Sequence, residues 1–219
     1  MVDLRAAKPE DAEAVAAIYA PYVVTNAVSF ETKAPTAREM RARITAAGDT
    51  YPWIVASEGK VVLGYAYAKP FRPGPTHRFG VEIAVYTAGD LEGKGIRRAL
   101  LAALLATLTE QNFTQAICTL MTPNDKLIQL FEAHGFRRAG AYREVCFKNG
   151  QWSDIGLWQR ELAEAGTPPD EIKPFSTTGV ISGWSASVGR DSQPARNGER
   201  TEGETRQGAH DRRGDDRQA

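Results

Sequence analysis

Apolar residues recur along this chain with two different periods, and the two periods predict a mixture of helices and strands. Leu100, Leu104 and Leu108 repeat every four positions, which is the spacing of one buried face of a helix. Shorter apolar runs are joined at residues 58–59 and 149–150 by turn residues, a pattern typical of hairpins. The predicted order is one strand, two helices, three strands, a helix, a strand, a helix and two strands. This order favours an α/β (α+β) fold in which helices cover both faces of a mixed sheet.

The composition of the chain changes sharply near Glu164. The stretch from Arg190 onward contains no aromatic residue and no Leu, Ile, Val or Met, and its seven arginines are balanced by seven acidic residues. Such a segment cannot bury enough apolar surface to offset the backbone entropy lost on folding. We therefore predict a folded domain over residues 1–163 and a polar, solvated and disordered tail over residues 164–219. The alternative is weak docking of the few large apolar residues of the tail, which are Phe175, Val180, Ile181 and Trp184.

Charge and composition argue against several classes of partner. The 219 residues include 27 basic and 27 acidic side chains, so the chain has no net charge with which to attract a nucleic-acid backbone. Its longest apolar run, Ala99–Ala106, is far shorter than the roughly 18 residues of a membrane span. Cys118 and Cys146 lie in separate apolar runs without the spacing of metal ligands, which indicates reduced packing thiols. We expect a cytoplasmic protein that binds no metal, membrane or nucleic acid.

The segment Val81–Arg98 predicts an anion site. An apolar strand runs through a glycine-rich loop directly into a helix, whose first backbone N–H groups have no partner within the helix. Gly93 and Gly95 let a bulky anion approach that backbone, and Arg97 and Arg98 are cations at a helix end that disfavours them by about 0.3 to 1 kcal/mol. A bound phosphate would reverse this penalty, whereas the alternative is a glycine-rich turn with two solvated arginines. The nucleotide-triphosphate and dinucleotide motifs do not fit, because Gly95 and Arg98 replace residues that those motifs require.

The sequence around this site resembles the GCN5-related N-acetyltransferase (GNAT) superfamily. Residues 92–97 align with the pyrophosphate loop of that family, although Glu92 replaces its leading Gln or Arg and Arg97 replaces its trailing small residue. Five further segments resemble the phosphinothricin and methionine sulfoximine/sulfone acetyltransferases in order and spacing: IYAPYVVTNAVSFE, GYAYAKPFRP, VEIAVY, HGFRRAG and FKNGQWSDIGLWQREL. The resemblance spans residues 2–161. It implies a GNAT fold with two splayed central strands, acetyl-CoA as the cosubstrate, and a homodimer.

The resemblance also implies which residues hold acetyl-CoA. Main-chain groups of the fourth strand would bind the pantetheine, and the loop and the start of the following helix would hold the pyrophosphate. The residues implied are Ile83, Ala84, Val85, Gly93, Lys94, Gly95, Ile96, Arg97 and Arg98. Asn124 matches an asparagine that contacts the cofactor in the family, and an ordinary helix N-cap is the alternative for this residue.

Acetyl transfer to an amine requires a base that removes a proton from the nucleophile. Glu82 is the candidate, because it is the lone acid in an apolar strand just before the glycine-rich loop; a strand residue facing solvent is the alternative. The family usually places Tyr or His just before the position of Glu132 to protonate the departing sulfur, but this chain has Phe131, which cannot donate a proton. We therefore predict a weaker acid step through water or Tyr86. His134 is interpreted as a surface residue.

For the acceptor site, the resemblance implies four residues, which are Phe30, Glu31, Arg72 and Arg78. A guanidinium group holds an amino-acid carboxylate with two parallel hydrogen bonds, and Glu31 is placed to attract an ammonium group. Ordinary surface ion pairs are the alternative for the two arginines. The predicted function is N-acetylation of a small amino-acid-like amine. A non-catalytic acyl-CoA sensor is the alternative, motivated by Phe131, Arg97 and the long tail.

Overall fold

The computed structural model describes residues 2–24, 29–91 and 95–181, and it confirms the predicted order of helices and strands. The strands in these ranges are β1 (Asp3–Ala6), β2 (Trp53–Glu58), β3 (Val61–Pro70), β4 (Gly80–Thr87), β5 (Gln115–Thr122), β6 (Arg137–Lys148) and β7 (Gln151–Glu161). The helices are α1 (Ala12–Val24), α2 (Ala37–Ala46), α3 (Ile96–Glu110), α4 (Asp125–Ala133) and the short α5 (Phe175–Thr178). Of the residues with predicted roles, Gly93, Lys94 and Trp184 lie outside the described ranges.

The seven strands form one mixed sheet in the order β1-β2-β3-β4-β5-β7-β6. Every neighbouring pair is antiparallel except β4 and β5, which are parallel. These two strands pair only where residues 80–82 of β4 face residues 115–117 of β5, and they diverge beyond that point. The splayed pair of central strands, which the resemblance implies, is thereby confirmed.

Helix α3 packs on one face of the sheet with the leucine stripe that its sequence predicts. Leu100, Leu104 and Leu108 are fully buried, and they share an apolar core with Val81 and Ile83 of β4. Burial of one such side chain contributes roughly 1.5 to 3 kcal/mol to folding. The stripe therefore fixes α3 against the sheet and fixes the position of the helix start beside the end of β4.

The core on the opposite face of the sheet, which includes residues of α1 and α2, is rich in aromatic side chains. Tyr19 of α1 packs edge-to-face against Tyr86 of β4, with ring centroids 4.9 Å apart. Trp53 and Tyr65 of the neighbouring strands β2 and β3 stack nearly parallel, at 5.7 Å between centroids. Tyr19 and Tyr67 of this face line both cavities described below.

Residues 171–181 differ from the predicted solvated tail, because they pack against the folded domain. The backbone N–H of Lys173 donates to the Gln111 carbonyl at 2.9 Å, and the Gln111 side-chain amide donates to the Lys173 carbonyl at 3.0 Å. Phe175 is partly buried against the core, and its N–H donates to the Asp49 carbonyl at 2.7 Å. The alternative of docking, which the sequence analysis gave for the large apolar residues of the tail, therefore holds for Phe175 and Val180. Backbone hydrogen bonds, which any sequence is able to make, add to it.

Candidate active site

A cavity of about 200 Å³ lies where β4 and β5 diverge. Residues of β3, β4, β5, α1 and α4 line it together with the loop that precedes α2. They are Tyr19, Phe30, Glu31, Tyr67, Lys69, Glu82, Ile83, Ala84, Val85, Tyr86, Thr119, Leu120, Leu127 and Phe131. The cavity thus contains the predicted base, two of the four predicted acceptor residues and the strand segment that was predicted to bind the pantetheine.

The carboxylate of Glu82 faces this cavity and is held at both oxygens. Oε1 accepts a hydrogen bond of 2.7 Å from the Thr119 hydroxyl, and Oε2 lies 3.2 Å from Nζ of Lys69. The Glu82 side chain is only 22% exposed. Its place on the sheet is also fixed, since it pairs with Lys69 across β3 and is the last β4 residue paired with β5. An oriented carboxylate at the mouth of the splay is able to accept a proton from a group in the cavity.

The main chain of β4 presents alternate residues to the opening. The backbone N–H of Phe71, the residue after β3, donates to the carbonyl of Gly80 at the start of β4. Every second residue of an antiparallel strand bonds to a given neighbour, so the even-numbered residues of β4 bond to β3. The N–H of Ile83 completes the last hydrogen bond to β5, whereas its C=O and both main-chain groups of Val85 point towards β5 where the two strands no longer pair. Ala84 was predicted to offer main-chain groups as well, but its backbone belongs to the β3 ladder. Ala84 does not face the opening because the main-chain groups of successive strand residues point to opposite neighbouring strands.

The start of α3 has the geometry of an anion site. Gly95 caps the helix in a left-handed conformation with φ of 75°, and it is exposed. A glycine has no side chain to occupy the free N–H groups of the first turn, which begins at Ile96. Arg98 is exposed beside it. These features fit the phosphate-binding role that was predicted for the start of the helix.

Arg97 is turned back towards the strand that precedes its helix. Its Nη2 donates to the Tyr22 hydroxyl at 2.9 Å and to the Thr87 hydroxyl at 3.0 Å. Tyr22 in turn donates to the Thr87 carbonyl at 2.7 Å. The guanidinium thus ties α1, the end of β4 and the start of α3 together. This contact was not predicted, and it accounts for an arginine at a helix end that disfavours cations.

Helix α4 carries two residues with predicted roles. The Oδ1 atom of Asn124 accepts a hydrogen bond of 3.3 Å from the Leu127 N–H, so this asparagine is the N-cap of α4. Phe131 is buried, lines the cavity and packs edge-to-face on Phe136. The side chain at this position therefore forms an apolar wall of the cavity.

Phenol groups line the part of the cavity near Glu82. Burial raises the pKa of both Tyr67 and Tyr86, so each phenol keeps its proton at neutral pH. Tyr86 was predicted as a proton donor, whereas Tyr67, Lys69 and Thr119 were not singled out from the sequence. One signal was present: Tyr67 and Lys69 are two positions apart on β3 and so lie on one face of the strand.

Glu31 lines the cavity, but its charge already has a partner. Its two carboxylate oxygens accept hydrogen bonds from Arg43 at 2.7 and 2.9 Å, and Oε1 also accepts one from the Tyr19 hydroxyl at 3.0 Å. The Arg43 guanidinium holds the pKa of Glu31 below its ordinary value. The predicted attraction of Glu31 for a substrate ammonium group is therefore weakened by this pair. Phe30, which is partly exposed, lines the same wall.

The two predicted acceptor arginines do not line the cavity. Arg78 forms an ion pair with Glu171 at 2.8 Å, and the guanidinium of Arg72 lies 5.2 Å from the centre of the Phe71 ring. Both arginines lie in the connection between β3 and β4. The cation that does line the cavity is Lys69.

A second cavity, of about 390 Å³, adjoins the first. The two share Tyr19, Glu31, Tyr67 and Lys69 among their lining residues. Trp53 and Tyr67, with ring centroids 4.4 Å apart, form an aromatic wall in it. The combined space is open to a ligand larger than a simple amine.

Two negative findings apply to the described ranges of the chain. They contain no helix that is long and apolar enough to cross a membrane. They also contain no group of three or more His, Cys, Asp or Glu side chains placed to hold a metal ion.

Comparison with known proteins assigns the family. The family model of the acetyltransferase (GNAT) domain matches residues 4–157. Phosphinothricin N-acetyltransferases of Streptomyces viridochromogenes and Alcaligenes faecalis are 34% and 39% identical to this chain, over 80% and 75% of it and 95% and 84% of the relatives. The crystal structure of a GNAT superfamily phosphinothricin acetyltransferase from Sinorhizobium meliloti in complex with AcCoA superposes with a TM-score of 0.73, at 34% identity over 78% of this chain and 94% of that one. The chain therefore belongs to the GNAT acetyltransferase family, and it is an N-acetyltransferase that uses acetyl-CoA as its cosubstrate.

Proposed function

We propose that the acceptor of this enzyme is the amino group of a small amino-acid-like molecule, such as phosphinothricin, methionine sulfoximine or methionine sulfone. The observation that carries the proposal is the Glu82 carboxylate, which is fixed by Thr119 and Lys69 and faces the cavity at the splay. The names of the relatives support the acceptor class. The adjoining 390 Å³ cavity provides room for the remainder of such a molecule.

In the proposed mechanism, Glu82 removes a proton from the acceptor ammonium group. Free amines titrate roughly one to three units above pH 7, so deprotonation costs about 1.4 to 4 kcal/mol, which is within reach of one positioned carboxylate. Acetyl-CoA supplies the activated acetyl thioester. The open main-chain groups of Ile83 and Val85 hold its pantetheine, and the first turn of α3 with Gly95 and Arg98 holds its pyrophosphate. Gly93 and Lys94 are proposed to contribute to the same pyrophosphate site.

The departing sulfur is proposed to receive its proton from a phenol or from water. Tyr86 and Tyr67 line the cavity, and burial keeps both protonated at neutral pH. A free thiol titrates near 8.5, so release of CoA as a thiolate without a proton donor costs little free energy at neutral pH. The presence of Phe131 is therefore compatible with catalysis. Protonation of the departing sulfur then depends on Tyr86, Tyr67 or water.

The alternative of a non-catalytic acyl-CoA sensor is less well supported, because a binding module has no need of a carboxylate oriented in the cavity. A test is to measure CoA release with a panel of phosphinothricin, methionine sulfoximine, methionine sulfone and ordinary amino acids. We expect turnover with at least one of the three named amines that clearly exceeds hydrolysis of acetyl-CoA. Tight binding of acetyl-CoA without amine-dependent turnover would favour the sensor.

We infer that the protein forms a homodimer through the β6–β7 hairpin. Strand β6 lies at the edge of the sheet, and the hairpin exposes four large apolar side chains, which are Tyr142, Val145, Phe147 and Trp152. Exposed apolar side chains on an edge strand favour association with another chain. Sedimentation velocity tests this: Phe147→Ser with Trp152→Ser is expected to yield a monomer, whereas Val61→Ser, an equally exposed site on β3, is not. A monomeric wild type would contradict the proposal.

We also propose a cytoplasmic location. Support comes from Cys118 and Cys146, which are both free thiols, since reducing compartments keep cysteines in this state. Fractionation of cells that express the tagged protein tests the location.

A further inference from the structure

We propose that Lys69 is a self-acetylation site, at which the enzyme transfers an acetyl group from acetyl-CoA to its own Nζ when no amine acceptor is bound. This inference rests on the proposed function of Glu82 as the base. Its basis is that a primary amine of the chain already lies where the substrate amine is expected. Nζ of Lys69 is 3.2 Å from Oε2 of Glu82, within reach for direct proton transfer.

The position of Lys69 relative to the splay supports the proposal. Lys69 and Glu82 are directly opposite each other in the β3–β4 ladder, and Glu82 is the last residue at which β4 pairs with β5. The opening begins at the next residue, Ile83, whose carbonyl faces it. The lysine amine is therefore at the mouth of the space assigned to the acetyl thioester.

Accessibility distinguishes Lys69 from a buried structural lysine. Its side chain is 51% exposed, and it lines both the 200 Å³ cavity and the adjoining 390 Å³ cavity. A lysine side chain has four rotatable bonds, so Nζ is able to move within the cavity while its backbone stays in β3. Thr119 holds the other oxygen of Glu82, so the base stays oriented when Nζ moves.

The transfer balances without any further reactant. One proton passes from the Nζ ammonium to Glu82, which converts the ion pair to a neutral amine and a carboxylic acid. The amine forms an N–C bond with the thioester carbonyl carbon, the C–S bond breaks, and CoA leaves as a thiolate. The second amine proton passes to water, and the proton held by Glu82 passes to the thiolate, which restores the carboxylate. The product is an uncharged acetyl-lysine.

The chain contains a matched control lysine. Lys173 forms an ion pair with Glu110 at 3.0 Å, and its side chain is 44% exposed, which is close to the value for Lys69. This pair does not line either cavity. Comparison of Lys69 with Lys173 therefore separates the effect of the cavity from the general effects of exposure and of a neighbouring carboxylate.

The experiment incubates the purified full chain with acetyl-CoA at neutral pH without an amine and measures acetylation of each lysine over time by peptide mass spectrometry. We expect Lys69 to be acetylated at least about 10²-fold faster than Lys173, since a positioned base contributes roughly 10²- to 10⁴-fold. Glu82→Gln should reduce the Lys69 rate to that of Lys173, whereas Glu110→Gln should leave the Lys69 rate unchanged. Circular dichroism confirms that both variants are folded.

A second measurement needs no variant. Addition of phosphinothricin or methionine sulfone to the wild type should slow Lys69 acetylation over the concentration range in which CoA release rises, because both amines require Glu82. Equal rates at Lys69 and Lys173 would overturn the inference, as would a Lys69 rate that survives Glu82→Gln in a folded protein. If the wild type still releases CoA with free amines after either result, the proposed function is retained and only the self-acetylation of Lys69 is overturned. Selective Lys69 acetylation without turnover of any free amine would support self-acetylation and contradict the proposed acceptor class.

Discussion

The two faces of the central sheet differ in chemistry although the same strands build both. On the α3 face, Val81 packs with the leucine stripe in an aliphatic core and lines neither of the two cavities. On the opposite face, Glu82 and Tyr86 of the same strand border the active-site cavity. Successive side chains of a strand point to opposite faces. Beyond Glu82 the two central strands separate, so Ile83 and Val85, which belong to the α3 core, border the cavity as well.

The difference shows why the site is able to exist within a stable fold. Aliphatic side chains have no directional partners, so they fill the α3 face densely and supply most of its stability through burial. On the other face, Tyr19, Tyr67 and Tyr86 line the cavity, and tyrosine hydroxyl groups need hydrogen-bond partners when buried. Because the α3 face holds the helix and the strand together, β4 and β5 are able to separate beyond Glu82 without loss of the sheet.

The largest expected effect is on activity alone. Glu82→Gln removes the base but keeps the size of the side chain, so kcat should fall by roughly 10²- to 10⁴-fold near neutral pH. The loss should be smaller in alkali, where the amine loses its proton unaided. Steady-state CoA release across pH measures this, with Glu110→Gln as the control. A loss that is the same at every pH would contradict the role of base.

The next effect contrasts the packing of the two faces. Leu104→Ala on the α3 face should lower the free energy of unfolding by about 2 to 5 kcal/mol, because a fully buried leucine leaves an empty space. Met40→Ala on the other face should cost less, since Met40 already borders a cavity. Urea denaturation measures both. An equal or larger loss for Met40→Ala would contradict the difference in packing.

A smaller effect concerns the docked segment beyond β7. The buried side-chain amide of Gln111 donates to the carbonyls of Thr50 and Lys173, both at 3.0 Å. Gln111→Ala should lower the free energy of unfolding by about 1 to 3 kcal/mol, because two carbonyls lose their partner. Gln159→Ala is the matched control, since that amide makes an exposed hydrogen bond. Equal losses for the two variants would show that the two hydrogen bonds of the Gln111 side chain contribute nothing to stability.

The smallest effect depends on pH. Arg43 holds the pKa of Glu31 below the ordinary glutamate value, so the pair stabilises the fold above that value and the contribution is lost as pH falls through the lowered pKa. Glu31→Gln should therefore be less stable than the wild type by no more than about 1 kcal/mol at neutral pH. The difference should shrink as pH falls past the ordinary glutamate pKa and vanish below the lowered pKa of Glu31, as measured by urea denaturation in a pH series. A difference that persists in acid would assign the effect to packing.

Local patterns predicted much of the fold and part of the site. The leucine spacing placed α3, the change in period placed its start, and a lone acid in an apolar strand singled out Glu82; each rests on neighbours within one segment. Arg72 and Arg78 were assigned from the family resemblance, and neither lines the two cavities, because the β3–β4 connection directs them elsewhere. Arg43 was not considered as the partner of Glu31, because nothing in a linear pattern pairs two residues twelve positions apart.

Sequence alone determined the order of the elements, the aliphatic stripe, the glycine-rich start of α3 and the family resemblance, because these depend on side-chain type and spacing. The tertiary structure decided which cation lies beside Glu82, which β4 residues open their main chain to the splay and how far the packed chain extends beyond β7. These features depend on strand register and on distances between segments that are far apart in the chain. The physical reason is that covalent connectivity constrains neighbours closely, while the position of one strand against another is set by the packing of the whole fold.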